Sequence, residues 1–229
     1  MAIEFVLSLL GAYLLGSVPA AYLAAKWSRG IDIRQYGSGN VGATNLLGLT
    51  SKWIAIVVII FDLVKGGVVV WAAQLIGLDI TQQVAVGLAA IIGHNWPVFL
   101  RFNGGRGILT TLGVIFILVP WLAPIVLVIA FSFALYHQLA LGVLLGTISA
   151  PVAVWFFSQL LGVADKLPIA LGFLAIFLIA VLRRLTAPRT SLTVSVPLRQ
   201  LLVNRLLFDR DIRDREAWIR RQPLKEEEK

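Results

Sequence analysis

The 229-residue chain contains no cysteine and only two histidines, His94 and His137. The absence of cysteine excludes disulfide bonds, thiolate nucleophiles and cysteine-ligated metal sites. Two histidines are also too few for a histidine-rich metal site, so we expect neither a metal nor a cofactor. Charge is scarce as well, since charged residues make up 14% of the chain, with 20 basic residues against 12 acidic ones.

Hydrophobic residues dominate the sequence in place of charge. They account for 59% of the residues, well above the apolar share of ordinary soluble domains, and mean hydropathy is +0.87. Apolar runs of about 20 residues, long enough to cross a bilayer as helices, recur along most of the chain. The sequence therefore predicts an all-α, polytopic integral membrane protein. Its net charge of +8 indicates basic cytoplasmic loops beside anionic lipid, and we expect no nucleic-acid partner.

Seven transmembrane helices are predicted from these runs and their breaks. Residues 16–19 (Gly-Ser-Val-Pro) should kink the first run, because proline removes a backbone donor and clashes with the preceding turn. Pro120 and Pro124 should divide the fourth run into two short helices. The predicted spans cover residues 3–27, 53–78, 82–92, 108–136 (two helices), 139–161 and 167–182.

The distribution of basic residues predicts the orientation and the domain division. With the N-terminus outside, seven spans place both basic loops and the C-terminus in the cytoplasm, as the positive-inside rule requires. Residues 1–185 then form a transmembrane domain, and residues 186–229 form a charged, helical cytoplasmic tail. Within the tail, 198–208 is typical of a basic amphipathic helix on the inner leaflet. Residues 209–221 alternate in charge sign, which is typical of a solvated helix without chemistry of its own.

A glycine-rich loop, Gly-Ser-Gly-Asn-Val-Gly-Ala-Thr-Asn at residues 37–45, separates the first two predicted spans. Glycine tolerates positive φ, so we expect its amides to turn outward and form an anion-binding concavity. Neutral side chains add hydrogen-bonding groups, and a basic residue lies just upstream. A plain polar turn between helices is the alternative. The candidate phosphate-binding residues are Arg34, Gly37, Ser38, Gly39, Asn40, Thr44 and Asn45.

A second glycine-rich loop, Phe-Asn-Gly-Gly-Arg-Gly at residues 102–107, repeats this chemistry after the third span. Two such loops in one small apolar protein indicate a shared phosphate. His94 lies shortly before the second loop and is either a catalytic residue or a structural histidine at the membrane interface. The candidate residues of this loop are Asn103, Gly104, Gly105, Arg106 and Gly107.

The second span carries two ionisable residues near its middle, Asp62 and Lys65. They are three residues apart, so their side chains share a helical face and can pair. Ionisable groups at this depth indicate function by default, whereas the structural alternative is a pair that pins the helix to a neighbour. A transporter that uses this pair is a third possibility, although no internal repeat accompanies it.

These motifs resemble those of the bacterial membrane acyl-phosphate:glycerol-3-phosphate acyltransferases. The likeness extends in order and spacing over roughly residues 1–182. It is carried by residues 37–45, by Asp-Leu-Val-Lys-Gly at 62–66, by Gly-His-Asn-Trp-Pro at 93–97 and by residues 102–107.

The resemblance implies seven helices, an external N-terminus and a site on the cytoplasmic side of the bacterial inner membrane. It also implies acyl transfer from acyl phosphate to the 1-hydroxyl of glycerol 3-phosphate, which yields lysophosphatidate, the first step of phospholipid synthesis. Ser38 would be essential, the 104–107 loop would hold the glycerol phosphate, and Ser38, His94 and Arg106 are the candidate catalytic residues. The expected partners are these two substrates and membrane lipids, while the oligomeric state is not predicted.

Three departures from the family pattern accompany the likeness. Gly48 replaces an arginine that usually follows the first motif, and Arg106 replaces a lysine. Residues 182–189 (Leu-Arg-Arg-Leu-Thr-Ala-Pro-Arg) lack the histidine and asparagine of the third motif. A divergent member that binds a phosphorylated lipid or precursor without turnover is therefore the alternative. Neither histidine has an aspartate five positions later, so the pattern of thioester-dependent glycerolipid acyltransferases is absent.

Overall fold

The computed structural model describes residues 2–193 and 196–222. These residues form eleven α-helices joined by loops and short 3₁₀ turns, with no β-strand among them. The predicted all-α membrane fold is therefore confirmed. The helices are α1 (Ala2–Ser17), α2 (Ala20–Arg29), α3 (Ala43–Leu47), α4 (Lys52–Leu75), α5 (Ile80–Asn95), α6 (Ile108–Leu118), α7 (Leu122–Ser132), α8 (Leu139–Phe157), α9 (Lys166–Leu185), α10 (Leu198–Phe208) and α11 (Arg215–Ile219).

Five helical segments in the described part of the chain are long and apolar enough to cross a membrane. The first comprises α1 and α2 together, and the others are α4, α5 with its 3₁₀ extension to Leu100, α8 and α9. The shorter helices α6 and α7 are apolar too, but 11 residues each span only about 17 Å against a bilayer core of about 30 Å. A count of seven crossings therefore stays a prediction.

The helix boundaries follow local sequence signals. At residues 16–19, where a kink was predicted, the structure has a full break between α1 and α2, and the break predicted around Pro120 separates α6 from α7. The third span is longer than predicted because a capping box between Asp79 and Gln82 starts α5 at Ile80. Such a box satisfies two backbone N–H groups at the start of the helix, because each side chain accepts from the amide of the other residue.

Small residues bring the central helices into close contact. A Cβ atom at Gly16 of α1 would collide with the backbone of Ala90 in α5, and one at Gly66 of α4 would collide with the backbone of Thr110 in α6. Helices in lipid associate through this kind of packing, because apolar side chains gain little by leaving one apolar medium for another. The crossings fix the relative positions of α1, α4, α5 and α6, from which both glycine-rich loops emerge.

Both glycine-rich loops and the C-terminal tail lie at one end of the helix bundle, as the predicted orientation requires. Arg221 of the tail donates from Nε to the carbonyl of Gly37 at 2.8 Å. Arg106 of the second loop donates from Nη1 to the carbonyl of Arg183, at the end of α9, at 3.1 Å. We call this end, formed by residues 30–51, 101–107, 183–193 and 196–222, the basic end. Part of the predicted tail, residues 194–195 and 223–229, lies outside the described residues.

The cytoplasmic location of the basic end can be tested by cysteine labelling, since the chain has no native cysteine. Positions Lys52, Thr81 and Glu216 are all exposed. We expect Lys52→Cys and Glu216→Cys to react with a membrane-impermeant thiol reagent only from the cytoplasmic side, and Thr81→Cys only from outside. If positions 52 and 81 react from the same side, the predicted topology is wrong.

Candidate active site

The side chain of Asn45 organises the first glycine-rich loop. Its Nδ2 donates to the carbonyls of Ile33, Tyr36 and Asn40 at 3.3, 3.1 and 3.1 Å, and its Oδ1 accepts from the amide of Ser38 at 3.2 Å. Both ends of the Asn45 side-chain amide therefore bind backbone groups of the chain around the loop and do not point to its open side. The arrangement assigns it the task of holding the loop in shape.

The loop has the positive φ values that its glycines predict, at +53° for Gly37 and +70° for Gly39. Its amides, however, do not turn outward. The expectation of an outward-facing amide concavity is wrong for residues 37–40, because protein groups already accept their hydrogen bonds. The acceptors, in order, are the carbonyl of Arg221, Oδ1 of Asn45, the carbonyl of Tyr36 and Oγ of Ser38.

The second loop is held between α5 and the end of α9. The amides of Gly104 and Gly105 donate to the carbonyls of Asn95 and His94 at 3.3 and 3.1 Å. From the opposite side, Arg183 donates from Nη2 to the carbonyl of Gly104 at 2.7 Å and from Nε to the carbonyl of Gly105 at 3.0 Å. The two glycines are buried. Their backbone is therefore fixed on both sides.

The two loops meet at Gly105. A Cβ atom at this position would collide with Nε2 of His94 and would lie 2.6 Å from the carbonyl oxygen of Val41 in the first loop. Glycine is consequently required here for the contact between the loops. The shared location that the sequence predicted for the two loops agrees with this geometry.

A cluster of ionisable side chains lies beneath the loops. Nζ of Lys65 is 2.7 Å from Oδ1 of Asp62, and Nδ1 of His94 is 3.6 Å from the same oxygen. Lys65 also donates to the carbonyl of Val18 at 3.2 Å, at the break between α1 and α2. Asp62 and Lys65 are each 2% exposed. The cluster thus joins α4, α5 and the α1–α2 break, which favours the pinning interpretation of the pair.

A polar cleft of about 80 Å³ opens at the basic end, and we call it the arginine cleft. Seven of the candidate site residues line it: Arg34, Ser38, Gly39, Asn40, Asn103, Gly104 and Arg106. Eight further residues line it that the sequence did not single out as candidate site residues: Arg183, Ala187, Pro188, Arg189, Thr190, Asp211, Trp218 and Arg221. Five arginines thus face one carboxylate, and such a cleft attracts an anion with bidentate acceptor geometry, of which phosphate is the common example.

The remaining candidate residues lie around the arginine cleft. Thr44 is exposed on α3, and Gly107 precedes α6 with a φ of +70°. His94 and Gly105 line a smaller cavity of about 10 Å³, and Gly104 lines both this cavity and the cleft. The backbone of Gly104 therefore separates the cleft from the buried cluster below.

Nearby carboxylates hold two arginines of the cleft in place. Arg34 donates from Nε and Nη2 to Asp32 at 2.9 and 2.6 Å, and this contact lowers the pKa of the Asp32 carboxyl. Nε of Arg106 lies 2.7 Å from Oδ1 of Asp209. A guanidinium has five N–H donors, so both side chains keep donors for a ligand. In each case the protein carboxylate offsets part of the positive charge that an anion would meet.

The tail differs from its prediction as a solvated helix without chemistry. Between residues 209 and 221 only Arg215–Ile219 is helical. Asp211 is 2% exposed and Trp218 is 4% exposed, so the segment is packed against the protein. Alternating charge indicated solvation, but Asp209 pairs with Arg106 and Asp211 pairs with Arg205, whereas the charged residues between 213 and 220 remain exposed.

The sequence is similar to those of known acyltransferases over most of its length. The family model described as glycerol-3-phosphate acyltransferase matches residues 6–190. Glycerol-3-phosphate acyltransferase 5 of Dehalococcoides mccartyi is 46% identical over 228 residues, which cover 100% of this chain and 98% of that protein. The glycerol-3-phosphate acyltransferase of Laribacter hongkongensis is 41% identical over 174 residues, covering 74% of this chain and 86% of that protein.

The solved structures that share this fold are also of a glycerol 3-phosphate acyltransferase. A crystal structure of PlsY (YgiH), an integral membrane glycerol 3-phosphate acyltransferase in its glycerol 3-phosphate form, aligns with a TM-score of 0.71 at 31% identity, covering 79% of this chain and 88% of that one. Its lysophosphatidic acid form aligns with a TM-score of 0.70 at 28% identity, covering 90% and 98%. The family predicted from the motifs is confirmed, and this chain belongs to the glycerol-3-phosphate acyltransferase family.

Proposed function

We propose that this protein transfers an acyl group from acyl phosphate to the 1-hydroxyl of glycerol 3-phosphate, producing lysophosphatidate at the cytoplasmic face of a bacterial inner membrane. Membrane lipids surround it, and the product enters them. The observation that carries the proposal is the arginine cleft, because both glycine-rich loops line it and five arginines converge there. Relatives named glycerol-3-phosphate acyltransferase align over the same loops.

The chemistry asks the protein to hold two phosphorylated molecules together. The 1-hydroxyl oxygen attacks the acyl carbon, and the bond between that carbon and the phosphate oxygen breaks. The hydroxyl proton passes to a phosphoryl oxygen, and inorganic phosphate leaves. Because the donor's own phosphate accepts the proton, the reaction needs alignment and screening of negative charge, which well-placed cations supply.

Ser38 and Arg106 are the residues that we assign to direct contact with substrate. The hydroxyl of Ser38 lies at the wall of the arginine cleft and accepts from the amide of Asn40 at 3.3 Å. Its remaining lone pair and its proton are available for a substrate. Arg106 supplies charge from the second loop across the same cleft. We propose that Ser38 and Arg106 together align the glycerol phosphate.

His94 has a different position, below the backbone of the second loop. Its side chain is 9% exposed, its Nδ1 faces Asp62, and its Nε2 lies against Gly105. It supports the loop from beneath. We therefore propose that His94 is a positioning residue and that no side chain acts as an indispensable general base.

The proposal is tested with purified full-length protein by measuring lysophosphatidate formation from glycerol 3-phosphate and either palmitoyl phosphate or a palmitoyl thioester. We expect turnover with the acyl phosphate only. Ser38→Ala should lower kcat roughly a hundredfold through misalignment. Ser28→Ala removes an exposed hydroxyl of α2 that donates to the carbonyl of Ala24 in its own helix and should leave kcat unchanged. His94→Ala should lower kcat by less than the roughly 10²–10⁴-fold that the loss of a general base would cause.

Each possible result has a distinct meaning. Binding of glycerol 3-phosphate without any product from either donor would identify a non-catalytic member of the family. Efficient use of the thioester would contradict the assigned donor. Complete inactivity of a correctly folded His94→Ala protein would contradict a mechanism without a side-chain base.

A further inference from the structure

The end of the described chain is docked on the first glycine-rich loop by three hydrogen bonds. The amide of Gly37 donates to the carbonyl of Arg221 at 2.8 Å. In return, Arg221 donates from Nε to the carbonyl of Gly37 at 2.8 Å and from Nη2 to the carbonyl of Arg34 at 3.0 Å. A Cβ atom at Gly39 would come within 2.8 Å of the same Nη2. The guanidinium therefore lies directly against the turn that presents Ser38.

The segment that carries Arg221 is anchored independently of the loop. Oδ1 of Asp211 lies 2.7 Å from Nε of Arg205, and its Oδ2 accepts from Oγ1 of Thr193 at 3.0 Å. The carbonyl of Asp211 accepts from Nδ2 of Asn204 at 3.0 Å. Asp211, Arg205 and Thr193 are all buried, as is Trp218 farther along the segment. We call residues 209–222 the docking segment.

Arg221 and its neighbour Arg220 have opposite surroundings. The side chain of Arg220 is 80% exposed and pairs with Glu216 on the surface. Arg221 is partly buried and lines the arginine cleft, and no carboxylate among the described residues lies within salt-bridge distance of it. Burial lowers the pKa of its guanidinium, and Asp211 offsets part of this effect. Of the two adjacent cations, only Arg221 presents its charge to the cleft.

The docking segment also lies beyond the part of the chain that the family model covers, since that match ends at residue 190. The motif expected just after the last span lacks its histidine and asparagine. In this chain the residues after the last span share the lining of the cleft with residues of the docking segment, among them Asp211, Trp218 and Arg221.

We propose that Arg221 is a positioning residue of the phosphate site and that Asp211, Trp218 and Arg221 of the docking segment form one wall of it. By binding the carbonyls of Arg34 and Gly37, it fixes the turn that carries Ser38. Its charge adds to that of Arg106 across the cleft. The ligand is a phosphate monoester or acyl phosphate group. The inference deepens the proposed function and rests on it for the identity of the substrates.

The experiment compares Arg221→Ala, Arg221→Lys and Arg220→Ala in full-length protein, measuring kcat and the KM of each substrate separately. We expect Arg221→Ala to raise the KM of at least one phosphorylated substrate roughly ten- to a hundredfold. The substrate whose KM rises identifies the phosphate that the cleft holds. Arg221→Lys keeps the charge but cannot reproduce the two-carbonyl contact, so a smaller rise of roughly three- to tenfold is expected. Arg220→Ala should stay within about twofold of the parent protein, because surface ion pairs contribute little.

Several outcomes would overturn the inference. Unchanged KM values in Arg221→Ala would do so, as would equal effects of Arg221→Ala and Arg220→Ala. Thermal unfolding in detergent shows whether Arg221→Ala folds. If it does not, Arg221→Lys is used in its place, and unchanged KM values in that variant contradict the inference.

Failure of the inference can be distinguished from failure of the proposed function. If the parent protein produces no lysophosphatidate, equilibrium binding of glycerol 3-phosphate replaces the KM. Weaker binding in Arg221→Ala but not in Arg220→Ala then supports the phosphate site while the proposed reaction fails. Full activity in both variants leaves the proposed reaction intact and removes Arg221 from the site.

Discussion

Replacing Asp62 alone with leucine should reduce the free energy of unfolding by about 3–5 kcal/mol, because breaking a buried ion pair leaves the other charge without compensation. Asp62 and Lys65 are each 2% exposed, and their charged atoms are 2.7 Å apart. In Asp62→Leu, the ammonium of Lys65 would keep the carbonyl of Val18 and the ring face of Phe61 as partners, but no negative charge. The measurement is reversible unfolding in mixed detergent micelles.

The double variant Asp62→Leu/Lys65→Met is the matched control for this experiment. Replacing both members of a buried pair with apolar residues is often neutral or even stabilising, so we expect the double variant to recover most of the lost stability. If the single variant is as stable as the parent, or if the double variant is as unstable as the single one, the pair does not pin α4 in place.

The Gly105→Ala variant should lose at least about a hundredfold in kcat/KM for glycerol 3-phosphate. The added Cβ would collide with Nε2 of His94 and approach the carbonyl of Val41, so the second loop must move away from the first. A displacement of about 1 Å in a site that works by alignment can cost this much. The cost in stability should be about 1–3 kcal/mol, as for other overpacked sites.

Gly11→Ala provides the control for the same chemical change. Gly11 lies in α1, is exposed, and has no atom within 4 Å of an added Cβ. We expect full activity and unchanged or slightly higher stability, since alanine favours the helix. Near-parental kcat/KM in Gly105→Ala would show that the contact between the two loops is not needed for catalysis.

The helical framework could be predicted because its determinants are local. Apolar length marked the spans, and proline at positions 19 and 120 marked the breaks between α1 and α2 and between α6 and α7. The pairing of Asp62 with Lys65 followed from helical spacing alone. The glycines of the first loop likewise predicted positive φ, which Gly37 and Gly39 adopt.

The surroundings of the site could not be predicted in the same way, because they depend on contacts between distant segments. Arg221 reaches Gly37 across 184 positions of sequence, and no periodicity records such a contact. The alternating charges of residues 209–221 favoured a solvated helix, yet Asp211 is buried against Arg205. The direction of the loop amides was also missed, since the carbonyl of Arg221 and the side chain of Asn45 supply acceptors that local sequence does not reveal.

The central claim is that both glycine-rich loops hold one phosphate. Ser38 represents the first loop and Arg106 the second, and both line the arginine cleft. Arg106→Ala alone should weaken glycerol 3-phosphate binding roughly ten- to a hundredfold, as expected for a charged hydrogen bond to phosphate. Arg106→Ala also leaves the carboxylate of Asp209 without the guanidinium that lies 2.7 Å from it. The double variant Arg106→Ala/Asp209→Asn removes that uncompensated charge and serves as the control.

The most direct test is a double-mutant cycle on the dissociation constant of glycerol 3-phosphate, using Ser38→Ala, Arg106→Ala and the double variant. Residues that share one ligand group influence each other through its position, so we expect a coupling energy above about 0.5 kcal/mol. Effects that add to within about 0.3–0.5 kcal/mol are typical of independent sites. Additive losses would contradict a shared phosphate, as would an unchanged dissociation constant in either correctly folded single variant.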